Sequence, residues 1–274
     1  MGQPKRKERE PAEAMERPEP GEGTQAAATS WTAPAWPARR TVGVLVGLIV
    51  LLNIPLIHYY VFRGQVPATV SLPFADDFSN PATVAQNYES IGGYWRTVNG
   101  ELLSPGVKNN PLWLKASLPH DVAVEFDVRS MSPEGDIKVE LFGDGTDHAS
   151  GYVLIHGGWN NSLSIIARLD EHAPSLGSLE AEARRRGGTD LVSTGVYIPS
   201  SRVRVEANPY PVQIGRTYHW RIERRGNRLS WFIDGSPFME FDDPYPLAGK
   251  WHDRFGFSSW EAQLYFDNLK VQPL

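Results

Sequence analysis

Asp121-Val122-Ala123-Val124-Glu125-Phe126-Asp127-Val128-Arg129 is the stretch that decides the fold. Val122, Val124, Phe126 and Val128 alternate with Ala123, Glu125, Asp127 and Arg129. A strand turns successive side chains to opposite faces, so this is a strand with one buried face. The same period runs through Ile137-Val139-Leu141, through Gly151 to His156 and through Leu163 to Leu169. Tyr218 to Glu223 and Leu229 to Ile233 flank Arg224-Arg225-Gly226-Asn227-Arg228, where Gly and Asn supply the positive φ of a tight hairpin. Turn signals recur at Asn99-Gly100, Gly143-Asp144-Gly145 and Asp234-Gly235. Many short strands punctuated in this way predict an all-β sandwich or jelly roll. Leu176 to Arg186 departs from the pattern, with acids first, arginines last and Gly187-Gly188 as a stop. That order predicts a short helical insertion on a sandwich loop, its arginines either gripping an anion or, more commonly, forming a solvated helix end.

Upstream lies an apolar run of another kind, Thr41 to Phe62, preceded by Arg39-Arg40. Its length of roughly 33 Å as a helix matches a hydrocarbon core of about 30 Å. Its Val, Ile, Leu and Phe residues outweigh Asn53, Pro55 and His58, so one transmembrane helix is predicted. Lys5, Arg6, Lys7, Arg9, Arg17, Arg39 and Arg40 precede the run and Arg63 alone follows closely, which places the N-terminus in the cytoplasm and the C-terminal domain in a periplasm or outside the cell. A cleaved signal peptide is the alternative, but Val66-Pro67-Ala68 is a poor cleavage site and the basic lead is long. Gly43 and Gly47 form a Gly-x-x-x-Gly pair that would let two such helices pair as a homodimer.

The chain therefore divides into a disordered cytoplasmic tail (1–40), the span (41–62), a linker (63–71) and one sandwich domain (72–274). Trp31 and Trp36 before the span, and Tyr59 and Tyr60 at its end, suit the two headgroup layers. The absence of cysteine excludes disulfides, thiolate metal sites and a Cys nucleophile. Of 27 Lys+Arg and 32 Asp+Glu, residues 1–63 hold 8 and 6, leaving 19 and 26 beyond them. An acidic domain of this kind argues against nucleic acid or an anionic membrane surface as its partner.

Phe74-Ala75-Asp76-Asp77-Phe78, Trp95 with Gly100-Glu101-Leu102, Trp220-Arg221-Ile222, Leu229 through Gly235, Gly256-Phe257 and Phe266 through Val271 together cover nearly the whole domain. In these motifs the domain resembles the concanavalin A-like lectin/glucanase jelly rolls, most of all the 3-keto-disaccharide hydrolase family and its laminin G-like relatives. The resemblance implies the fold and an association with sugars. The glucanase branch carries a Glu-x-Asp-x-x-Glu pattern. Here Glu125-Phe126-Asp127-Val128-Arg129-Ser130 lacks the second glutamate, so retaining hydrolysis on that strand is not expected.

Three sets of residues are candidates for chemistry. His156-Gly157-Gly158-Trp159-Asn160-Asn161 sets an aromatic plate and amides on a glycine-rich turn, with Arg168, Asp170, Glu171 and His172 beyond it and Trp260 as a second plate. Sugars stack on aromatic rings while amides and carboxylates bridge their hydroxyls, so this set predicts carbohydrate or envelope-glycan binding. The bland reading is a tryptophan covering the sandwich edge above turn-capping His and Asn. A glycoside-cleaving enzyme is the second possibility, with Glu171 or Asp170 as general base and His156 as acid. A non-catalytic scaffold or adhesion domain is the third. Asp76, Asp77 and Asp267 lie near the first and last strands, where a structural calcium would suit converging carboxylates, unless they only form turns and protect an edge.

Overall fold

The structure, a computed structural model, describes residues 38–62, 64–207 and 209–274, and the chain divides after Phe62 into two units. The first contains helix α1 (Ala38–Phe62), whose stretch from Ala38 to Tyr59 includes an 18-residue window with a mean hydropathy of 2.2 and is long and apolar enough to cross a membrane. It begins three residues before the apolar run, because Arg39 and Arg40 are good helix formers although not apolar. Asn53 satisfies its own amide within the helix, donating from Nδ2 to the Ile49 carbonyl at 2.7 Å.

Two antiparallel sheets make up the second unit. One runs in the order β13 (Ser236–Asp242), β12 (Arg228–Ile233), β11 (Thr217–Arg225), β6 (Val122–Ser130), β15 (Gln263–Pro273), β4 (Glu101–Pro105) and β3 (Arg96–Val98), with β1 (Phe74–Asp76) beside the far half of β15. The other runs β10 (Val203–Ala207), β9 (Leu163–Arg168), β8 (Tyr152–Gly157), β7 (Ile137–Gly143), β14 (Arg254–Ser258), β5 (Leu112–Leu114) and β2 (Tyr88–Glu89). Between the strands lie α2 (Ala82–Asn87), the four-residue turn α3 (Gly158–Asn161) and α4 (Leu176–Arg185), the expected helical insertion. Arg185 and Arg186 of its C-terminal end both pair with Glu182.

The alternation in β6 shows why the sheets stack. Val122, Val124, Phe126 and Val128 are buried in the core between the sheets. Phe126 lies at its centre, with ring centroids 5.4 Å from Trp220, 5.5 Å from Phe257 and 6.0 Å from Phe266. The opposite charged side chains face outward: Glu125 pairs with Arg221 and Arg129 with Glu101, and Asp127 Oδ1 lies 2.8 Å from His219 Nδ1. The β11–β12 hairpin closes at Gly226-Asn227, with Arg225 opposite Arg228, and sends Trp220, Trp231 and Ile233 inward. In β15 the register shifts between Asp267 and Lys270, with Asn268 at φ 53°, a bulge beyond which the strand meets β1.

The period-two reading separates the two faces energetically. Phe126→Ala should cost about 3–5 kcal/mol, as a cavity at the centre of a core does. Glu125→Ala should cost under about 1 kcal/mol, as an outward ion pair does. Urea unfolding of the detergent-solubilised chain, followed by tryptophan fluorescence, measures both.

Candidate functional site

The sheet containing β7 buries its second face as well. Pairing registers set two rows across it: Trp113, Gly256, Glu140, Val153, Ala167 and Arg204 in one, and Ser258, Lys138, Ile155, Ile165 and Glu206 in the next. Val153, Ile155, Ile165 and Ala167 form a small apolar cluster of their own on this face. Beside them Lys138 is 2% exposed and Glu140 0% exposed, so both charges must find partners inside the protein.

Loops supply those partners. Lys138 Nζ lies 3.0 Å from Glu171 Oε2 and 3.9 Å from Asp136 Oδ1, and it donates to Asn109 Oδ1 at 2.9 Å. His148 Nδ1 is 2.6 Å from Glu140 Oε1, the Ala149 N–H donates to Glu140 Oε2, and His148 Nε2 stands 3.4 Å from Glu171 Oε2. Burial disfavours the His148 imidazolium, but Glu140 and Glu171 outweigh it and raise its pKa to about 9. Burial likewise opposes the Glu171 carboxylate, and the opposing pull of His148 and Lys138 holds its pKa at about 2. For Asp136 burial prevails over the Lys138 charge, and its carboxyl is pushed up.

Above this network opens a cavity of about 380 Å³, with Ile155, Lys138, Asp136, Glu171 and Asn109 among its lining and Trp159 and Trp260 at it. These two indoles are 39% and 47% exposed in a unit whose Trp113, Trp220 and Trp231 are buried. Trp159 stands on α3, where Gly157, Trp159, Asn160 and Asn161 all have positive φ, a left-handed run that L residues adopt only under constraint. The constraint is Asn161, which pairs with the Val212 backbone in both directions, its Nδ2 donating to the carbonyl at 2.8 Å and its Oδ1 accepting from the N–H at 2.7 Å. A Cβ on Gly157 would strike the Asn161 side chain, so glycine is required there. Arg204 lies 5.4 Å from the Trp159 ring centroid and donates to the Glu171 carbonyl, while the His172 ring meets the indole edge-on at 5.7 Å. Trp260 is fixed through its backbone, its N–H donating to Asp136 Oδ2 and its carbonyl accepting from Lys108.

Of the residues the sequence singled out, the structure brings Trp159, Asn160, Glu171, His172 and Trp260 to this one cavity. It sends the others elsewhere. His156 shares the parity of Tyr152 and Leu154 and points between the sheets, fully buried, with Nε2 donating to the Tyr210 carbonyl at 2.8 Å. Its ring stacks on Tyr210, and burial pushes its pKa down to about 4. The expected pairing of His156 as acid with Glu171 or Asp170 as base is therefore not assembled, because neighbouring strand residues face opposite ways. Arg168 is buried as a strut: it pairs with Asp243 at 2.7 Å and donates to the carbonyls of Pro199, Ser201 and Tyr245. Asp170 caps its own turn, accepting from the His172 N–H. Asn161 is spent on Val212, as described.

Sequence reasoning missed Asn109, Asp136, Lys138, Glu140 and His148. Lys138 and Glu140 alternate with Ile137, Val139 and Leu141 and read as a solvated face, whereas loops cover them. For calcium, Asp76 is turned inward, its carboxylate accepting from Phe78 N–H and Tyr88 OH, while Asp77 is exposed and binds Ser79. Adjacent strand residues diverge in this way. Among the described residues no group of three or more His, Cys, Asp or Glu side chains is placed to hold a metal ion.

Stacked antiparallel sheets with the first strand paired to the last are the arrangement the sequence resemblance implies. The fold is a two-sheet antiparallel β-sandwich. No protein-family model matches the chain, that of the 3-keto-disaccharide hydrolases included, and no curated protein matches it. Solved structures similar to it include a carbohydrate-binding module of Bacillus subtilis, 16% identical over 68% of this chain and 95% of that one, with a TM-score of 0.48. The carbohydrate recognition domain of Emp47p is 11% identical over 74% and 96%, with a TM-score of 0.47. A Bacillus subtilis protein of unknown function with a galectin-like fold is 14% identical over 73% and 94%, with a TM-score of 0.43.

The charge network gives stability a pH window. His148, raised from 6.5 to about 9, stabilises fully below about pH 6.5, and its contribution is lost as pH rises through about 9. Glu171, lowered from 4.5 to about 2, stabilises above about pH 4.5, and that is lost as pH falls through about 2. His156, lowered from 6.5 to about 4, adds stability that is lost as pH falls from about 6.5 through about 4, so unfolding free energy should peak near about pH 6.5. His148→Gln should flatten the alkaline limb, which is on the order of 2 kcal/mol. Urea titrations from about pH 4 to about pH 10 measure it.

Proposed function

We propose that this is a membrane-anchored carbohydrate-binding protein whose sandwich takes glycans in the cavity above β7 and β8. One observation carries the reading: two exposed indoles flank a cavity floored by buried carboxylate and ammonium groups and the half-buried amide of Asn109. Indoles offer flat faces for the apolar sides of sugar rings, and fixed polar groups select hydroxyl patterns. Such groups recognise well when their own geometry is locked, and here Lys138, Glu171 and Trp159 are each held by named partners. The apolar helix α1 supports the anchor, and the basic residues before it support a cytoplasmic N-terminus with the sandwich acting at the cell envelope. Gly43 and Gly47 lie one turn apart on α1, and this Gly-x-x-x-Gly spacing supports a second copy of the helix as partner.

A glycan array probed with the detergent-solubilised chain tests the binding. Trp159→Ala should weaken the selected glycan at least about tenfold, roughly 1.4 kcal/mol, with thermal unfolding unchanged. Undiminished binding by both Trp159→Ala and Trp260→Ala would place the ligand elsewhere.

Glycoside cleavage is a second reading with one observation in its favour. Asp136 and Glu171 line the same cavity, and their surroundings push the two carboxyls in opposite directions, the pattern of an acid and a base. Under that reading Asp136→Asn should abolish release of reducing sugar while leaving binding intact. Release by the variant at the parent rate would remove the reading.

A further inference from the structure

The cavity's charges are unevenly matched, and this bears on which glycan it takes. Glu134, Asp136, Glu171 and Glu261 line it; Lys108 pairs with Glu261 at 3.5 Å, His148 lies 3.4 Å from Glu171, and Lys138 lines the cavity itself with the imidazole of His172. The Lys138 ammonium is already committed to Glu171, Asn109 and Asp136, and it is almost wholly buried. An anionic ligand would meet carboxylates with no free cation among these lining groups to balance them. Glu171 is 8% exposed, and its Oε2 accepts no hydrogen bond of good geometry although Lys138 Nζ stands 3.0 Å and His148 Nε2 3.4 Å from it. A buried carboxylate oxygen short of donors gains from a ligand N–H or O–H directed at it. The indoles add to the same preference, because the negative face of an aromatic ring attracts a cation.

We propose that the cavity selects an amine-bearing saccharide, its protonated amino group directed to the Glu171 and Asp136 carboxylates and its ring laid on tryptophan, and that it excludes acidic glycans. This rests on the carbohydrate reading above and narrows it to a substrate class. Asn160 remains for the uncharged hydroxyls, and Glu134, an exposed lining residue, steers the cation inward.

Three probes test it by isothermal calorimetry on the full chain in detergent at about pH 6, below the usual range of such amines. They are a glucosamine tetramer with free amines, its N-acetylated counterpart and a galacturonic acid tetramer. The free amine should bind at least about tenfold tighter than the N-acetylated form, and that margin should shrink as salt is raised. The acidic tetramer should not bind. Glu134→Gln, at an exposed position, should narrow the margin severalfold without affecting folding, and Glu171→Gln should abolish it. If Glu171→Gln fails to fold, Glu134→Gln and the salt series still decide. Equal binding of the amine and N-acetyl forms, or tighter binding of the acidic one, would overturn the amine preference and leave the carbohydrate reading standing. Failure of all three to bind, with the glycan array also blank, would overturn both.

Discussion

Two charges buried on one strand face, Lys138 and Glu140 of β7, constrain much of what surrounds them. An unpaired charge removed from water costs several kcal/mol, so each needs an opposite charge brought to it. Glu140 draws the loop after β7 back through His148 and Ala149. Lys138 draws in Glu171 from beyond β9 and Asn109 from the loop before β5. Three loops separated in sequence are thereby fixed over one sheet, and two of them, those of Asn109 and Glu171, line the cavity.

The same constraint positions the aromatic walls. Glu171, held by Lys138, gives its carbonyl to Arg204, and Arg204 lies against Trp159. Asp136, beside Lys138, gives its carboxylate to the Trp260 N–H. The indoles are exposed, yet each is tied within a few bonds to a buried charge. A site organised in this way loses little freedom when a ligand arrives, which is the condition under which modest contacts give useful affinity. The left-handed turn at α3 is part of that arrangement, its backbone strain opposed by the Asn161 clamp on Val212.

The sandwich was legible in the sequence wherever a single physical rule governed a segment. β6 alternates because one of its faces is core, the β11–β12 turn uses Gly226-Asn227 because it needs positive φ, and Leu176 to Arg186 carries helix formers with a glycine stop. The site was legible only in part. Trp159, Asn160, Glu171, His172 and Trp260 stood out as types suited to sugars, and they do share a cavity. His156 stood out beside them for its sequence neighbourhood, but the parity of β8 turns it into the core with Tyr152 and Leu154. Lys138 and Glu140 escaped notice because alternation alone cannot tell a solvated face from one covered by loops, and their partners lie as much as 33 positions away.

A crystal structure of the protein with a bound oligosaccharide tests the central claim most directly. The account predicts a sugar ring against Trp159 or Trp260, above Lys138 and within hydrogen-bonding reach of Glu171 or Asp136. A sugar seated instead on the outward face of the other sheet, among Asp127, His219 and Arg221, would contradict it.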